Sequence, residues 1–254
     1  MDLQVPSATL AALLLATSRA TGFVVLAPPF NSNGIPAPVK GALAMALSLV
    51  VFPHITGTLP AITAGFLVVT AVTEAIIGAA LGFLVQLLFT AVQMAGDIID
   101  VTGGFSMQPA YDPMSLSTHG VIGKLHHLLA TTLLFSSGGH LLLVRGFATS
   151  YDGLPVGASL PTEQLGSALV TAFTMMFLAA LQIAGPMVAV LLLSDVALGL
   201  LSKAAPALNI FAFGFPVKIM LTLTLLGLTF PLLPSALDAL MHTGLEAITS
   251  FRSG

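Results

Sequence analysis

The sequence predicts an all-α protein of polytopic, membrane-type helical hairpins, with some helices kinked and over-long. Three observations lead there. Only 7% of the 254 residues are charged, against about 25% in a soluble domain. Hydrophobic residues make up 56% of the chain, and its mean hydropathy is +1.04. The apolar residues also fall in long uninterrupted runs broken by proline and glycine. Seven basic and ten acidic side chains cannot clothe a chain of this size in water. The excess apolar surface must face lipid or other subunits.

Six apolar stretches follow in order. The first runs from about Ala8 to Leu26 and stops at Pro28-Pro29. No basic region precedes it, and Arg19 comes late within it. A cleaved signal peptide has the reverse order, so this segment reads as a retained first helix. The second stretch, from about Gly41 to Phe52, falls short of the roughly 20 residues that a span needs. The third, from Pro60 to about Ala95, would reach roughly 50 Å as one helix, against a hydrocarbon core of about 30 Å. The fourth runs from about Leu125 to Val144. The fifth runs from about Leu165 to Leu201, over-long again, with Gly185-Pro186 as its natural kink. The sixth runs from Phe215-Pro216 to about Leu233, and a short final helix is expected from Ser235 to Phe251. These unequal lengths fit hairpins packed into a larger assembly better than a free-standing bundle. No repeat or linker divides the chain, so residues 1–254 read as a single domain.

Charge and cysteine usage exclude several function classes. A net charge of −3 lacks the dense basic face that nucleic acid requires. With no cysteine there is no disulfide framework and no thiolate chemistry. With no tryptophan, an interfacial aromatic belt would rest on Tyr111 and Tyr151 alone. If all six stretches cross, Arg145 and Arg252 lie on one side and Lys40, Lys124 and Lys203 on the other, which sets no orientation.

Glu74 is the most informative charge. It lies deep in an apolar run, where an ionisable group needs a partner or a wet cavity. Helical spacing puts Glu74, Gly78 and Gly82 on one face, and the two glycines allow close backbone approach by a second helix. The plain reading is a buried hydrogen bond or ion pair. The sharper one is a proton relay, as in a small proton-coupled secondary transporter. Against a transporter, no matching pair of halves is visible.

The segment from Gly103 to His119 is loop-like, with Gly103-Gly104, Pro109 and Asp112-Pro113. It still carries Phe105, Met107, Tyr111 and Met114. Either it plugs a pore, where irregular backbone is buried in protein, or it lies as an amphipathic loop on the membrane surface. Asp97 and Asp100 precede it and read as helix-end charges rather than an acid–base pair. His119, His126, His127 and His140 resemble a metal cluster only on paper. On one helix, His126 and His140 would sit about 21 Å apart. No zinc-binding, nucleophile-elbow or P-loop pattern occurs. His140, after Gly138-Gly139, reads as a polar contact between helices. No catalytic residue, cofactor site or metal site is expected. Finally, Lys203 and Lys218 bracket Pro206, Phe211, Phe213, Phe215 and Pro216. This is expected to be a structured apolar connection, either a simple turn at the membrane surface, a docking surface for a partner subunit, or the floor of a channel.

Together these segments resemble the FliR/SctT family of type III secretion export gates. The carriers are Arg19 with Ala27–Phe30, Ile35–Met45, the Glu74/Gly78/Gly82 face, Ala95–Asp100 and the Asp112-Pro113 loop, followed by Gly138–Leu141, Leu154-Pro155 and Pro206–Lys218. The chain departs from the family's usual pattern at Gly138, Lys203 and Ala207. The resemblance implies a non-enzymatic, multi-pass protein of the bacterial inner membrane and flagellar basal body. It implies assembly with FliP-like, FliQ-like and FlhB-like subunits into a closed helical cone that passes unfolded export substrates. It further implies a pore plug at Phe105, Met107, Pro109, Tyr111, Asp112, Pro113 and Met114. Subunit packing is expected at Glu74, Gly78, Gly82 and His140, and partner docking at the segment from Lys203 to Lys218.

Overall fold

A computed structural model describes residues 7–32, 34–55, 63–105, 120–158, 160, 162–207 and 209–239, with side chains left out at 54, 210, 211, 228 and 232. Within them the chain is helical: α1 (Ser7–Leu26), α2 (Ala37–Ile55), α3 (Ala64–Gly103), α4 (Val121–Ser136), α5 (Gly139–Gly153), α6 (Thr162–Ala204) and α7 (Ile210–Thr229). A 3-10 turn, Phe230–Leu232, and a helical segment at 233–239 complete them. No strand is present among the described residues.

Helices α1, α2, α3, α6 and α7 are apolar nearly all the way round. A water-facing helix would carry a polar stripe instead. Three helices are long and apolar enough to cross a membrane, or four if α4 and α5 together form one bent span. Helix α3 has 40 residues and α6 has 43, so each extends about 60 Å or more.

Several element boundaries differ from the sequence expectation, each for a local reason. Helix α2 begins at Ala37 rather than Gly41, because Pro38 fits a first turn, where its missing N–H has no partner to lose. The amides of Val39 and Lys40 close on the Pro36 carbonyl at 3.0 and 3.2 Å. The fourth stretch is two helices, not one. Gly138 adopts a left-handed conformation, φ 76°, and its amide donates to the Phe135 carbonyl at 3.3 Å, which ends α4. Helix α6 runs without interruption through Pro186, where a kink was expected. Helix α7 starts at Ile210, five residues before the expected Phe215, because the Asn209 side chain accepts from the Ala212 amide at 3.2 Å. The final helix is described only as far as residue 239.

The helices gather into two compact units. The first draws on α1, α2, α3 up to Leu88, and the stretch from Phe135 to Phe173. Phe23 stacks near Phe147 at 5.2 Å, and Phe147 meets Tyr151 edge-on at 5.7 Å. The second draws on Phe89 to Leu134 and on the chain from Thr174 to Leu240. Its core is Ala95, Ile99, Ile122, Ala184, Met187 and Leu226, with Phe105 packed against it.

Candidate functional site

Among the described residues, three polar features interrupt the apolar packing. The first is a buried knot around Arg19 in the first unit. Arg19 is wholly buried and Glu74 is 1% exposed. The Arg19 Nε donates to Glu74 Oε2 at 2.5 Å. One terminal nitrogen donates to the Ser150 hydroxyl at 3.3 Å, and the other to the Leu154 carbonyl at 2.8 Å. The guanidinium lies 3.8 Å from the centroid of the Tyr151 ring. The Tyr151 hydroxyl in turn donates to the Ala16 carbonyl at 3.4 Å. One cation thereby joins α1, α3 and the end of α5. Arginine suits this place because its planar fork offers donors in several fixed directions and keeps its charge when buried.

The glycines make the knot possible. A Cβ at Gly78 would run into the Arg19 carbonyl. One at Gly82 would lie 2.6 Å from the Phe23 carbonyl, and one at Gly22 would strike the Ala75 carbonyl. Helices α1 and α3 thus meet backbone to backbone, which brings Glu74 within reach of Arg19. The Glu74/Gly78/Gly82 face was expected to pack against another subunit. The structure places that close approach within the chain, against α1. His140 sits at the start of α5 beside Phe135, their rings 5.3 Å apart. His126 lies on α4, so the single helix assumed to carry both histidines does not exist.

The second feature is at the α3–α4 corner of the second unit. Asp100 is 2% exposed. Its two carboxylate oxygens accept from the amides of Ile122, at 3.1 Å, and Gly123, at 2.9 Å. A carboxylate at a helix start satisfies amides that have no partner within the helix. A Cβ at Gly120 would collide with the hydrogen-bonded Asp100 side chain, and one at Gly123 with the Asp97 carboxylate, so the two glycines leave room for the acidic pair. Asp97 and Asp100 are therefore structural charges at this corner. Among the described residues no group of histidine, cysteine, aspartate or glutamate could hold a metal.

The third feature is the α6–α7 hairpin. Asp195 accepts from Lys218 Nζ at 2.7 and 2.9 Å through its two oxygens. The predicted connection is shorter than expected. Lys203 lies in the last turn of α6, Pro206 lies in the turn that follows, and Phe211, Phe213, Phe215, Pro216 and Lys218 all belong to α7. Phe213 is exposed, whereas Phe215 is half-buried against Gly104. Of the expected plug residues only Phe105 is described, and it packs into the core of the second unit. Met107, Pro109, Tyr111, Asp112, Pro113 and Met114 lie outside the described residues.

Sequence reasoning missed the Arg19–Glu74 partnership, the contacts of Ser150 and Tyr151, and Asp195. The signal was available for both pairs. Arg19 and Glu74 are opposite charges stranded in separate apolar runs, as are Asp195 and Lys218.

Long apolar helices, internally compensated charges and tight glycine contacts define a helical membrane protein built for packing. The chain belongs to the family "Bacterial export proteins, family 1", whose model matches residues 10–244. It is similar to the flagellar biosynthetic protein FliR of Escherichia coli K12, 32% identical over 85% of this chain and 82% of that one. The FliR of Bacillus subtilis 168 is 31% identical, over 85% and 84% of the two chains. The surface presentation of antigens protein SpaR of Salmonella typhimurium LT2 is 30% identical, over 87% and 86%.

Proposed function

We propose that this chain is a subunit of the flagellar type III protein export gate in the bacterial inner membrane. There it forms, with FliP-like and FliQ-like subunits and beside an FlhB-like one, the entry pore for unfolded export substrates. It catalyses no reaction itself. One geometric observation carries this reading beyond the family likeness. The exposed large apolar side chains of α6 run from Val170 to Leu201, about 47 Å of helix, which is more than a 30 Å hydrocarbon core covers at ordinary tilt. Protein must cover what lipid does not. The segment from Phe105 to Met114 is proposed to seal the resting pore.

A small proton-coupled transporter would need a carboxylate that exchanges protons along a wet path. Glu74 is buried and held by Arg19, which supports a structural role for it.

The test is deletion of the gene, followed by measurement of motility and of exported flagellar proteins in the medium, with the tagged chain isolated from membranes in mild detergent. The expected result is loss of export and co-isolation with small helical membrane proteins. Intact export, or isolation as a homogeneous monomer that moves a solute in liposomes, would overturn the reading. Deleting residues 107–114, which spares Phe105 and its place against the core, is expected to leave the cell envelope leaky to small ions.

A further inference from the structure

The break between α4 and α5 rests on a single backbone residue. The apolar run from Leu125 to Val144 continues across it, and within that run Gly138 alone turns left-handed, φ 76° and ψ 9°. A Cβ at Gly138 would meet nothing within 4 Å, and Phe135, Ser136 and Ser137 before it are exposed. Packing at this point does not force the turn; the glycine permits it. The hydrogen bond that closes it, from the Gly138 amide to the Phe135 carbonyl, is long at 3.3 Å.

His140, two residues on, bears a cost in this broken form. Its Nδ1 is shut off from solvent and, among the described residues, meets no hydrogen-bond partner. The ring lies against Phe135 instead, centroids 5.3 Å apart. A buried polar atom without a partner is uncommon and destabilising. His126, on the unbroken α4, shows what would satisfy it. There Nδ1 donates to the carbonyl four residues back, Ile122, at 3.0 Å. The carbonyl four residues back from His140 is that of Ser136, the last residue of α4, and the turn at Gly138 comes between the two. Against a continuous helix stand the adjacent Gly138 and Gly139, both poor helix formers. Each form thus carries one penalty that the other lacks, which brings two conformations within reach of one another.

We infer that α4 and α5 form a two-state joint, which exchanges between the broken form and a continuous helix in which His140 Nδ1 donates to the Ser136 carbonyl. Gly138 permits the turn, and His140 opposes it. The joint belongs to the chain's own backbone and does not depend on which partners the chain meets.

The test uses the full chain in its native membrane. The sequence has no cysteine, so L128C/R145C, at two exposed positions, places one spin label on each helix. The two positions are about 26 Å apart along a continuous helix and closer in the broken form. Pulsed distance measurement is expected to show both populations, the shorter one larger. G138A adds no clash, since a Cβ there meets nothing, but it disfavours the left-handed turn. It should raise the ratio of long to short distances at least tenfold. G138N, whose side chain tolerates a left-handed backbone, should stay close to the unsubstituted ratio. In the G138A background, H140L removes the buried nitrogen and should bring the ratio back toward the unsubstituted value. A single short distance in the labelled chain and in G138A alike would overturn the inference. So would a long population in G138A that H140L leaves unchanged, or one raised equally by G138N.

Discussion

Arg19 and Glu74 lie 55 positions apart in the sequence and meet at 2.5 Å where almost no solvent reaches. Their pairing is the point at which α1 and α3 are locked in register. Around it the Ser150 hydroxyl, the Leu154 carbonyl and the Tyr151 ring complete the guanidinium's surroundings.

Breaking this pair from one side is expected to be severe. Glu74→Ala leaves the Arg19 charge buried without its counter-ion, a loss of about 3–5 kcal/mol. The amount of protein in membranes and its unfolding temperature in detergent should both fall. Replacing both partners, as R19M/E74L, is expected to restore much of that loss, because no lone charge remains. A double variant as damaged as the single one would show that the pair does more than balance charge.

The glycines should sort into two groups by what stands opposite them. Gly78→Ala places a methyl group against the Arg19 carbonyl and is expected to lower stability by at least 1–3 kcal/mol. Gly166→Ala and Gly185→Ala meet nothing within 4 Å in the interior of α6. These should be neutral or gain up to about 1 kcal/mol from helix propensity. Thermal unfolding of the three purified variants checks the order, and equal losses in all three would contradict the α1–α3 packing.

Asp100→Ala removes the acceptor for two buried amides, Ile122 and Gly123. A cost of about 1–3 kcal/mol is expected, with faster hydrogen exchange in the first turn of α4. Asp100→Asn keeps one acceptor oxygen and should lie between the two. Exchange rates that do not change at 122–123 would show that other groups hold the start of α4.

Asn209 caps α7 through its side-chain oxygen. Asn209→Ala is expected to cost about 1 kcal/mol and to fray the segment holding Phe211 and Phe213, whereas Asn209→Asp should be tolerated. Proteolysis at the α6–α7 turn, compared between the two variants, gives the readout.

The sequence by itself determined the helical membrane class, the unequal helix lengths and the need for Glu74 to have a partner. All three follow from composition and from the spacing of apolar residues, which act locally. The family, too, was legible in short ordered segments such as Ala95–Asp100 and Pro206–Lys218. The tertiary structure alone decided which charge meets which. Arg19 finds Glu74, and Asp195 finds Lys218, because glycines or short turns bring distant backbones together, and no local pattern encodes that distance. It also decided that the Glu74/Gly78/Gly82 face is spent inside the chain. Periodicity states that a face is buried, but only packing shows against what. The break at Gly138 was missed for a related reason: the apolar run continues across it, and only a left-handed backbone, φ 76°, ends the helix there.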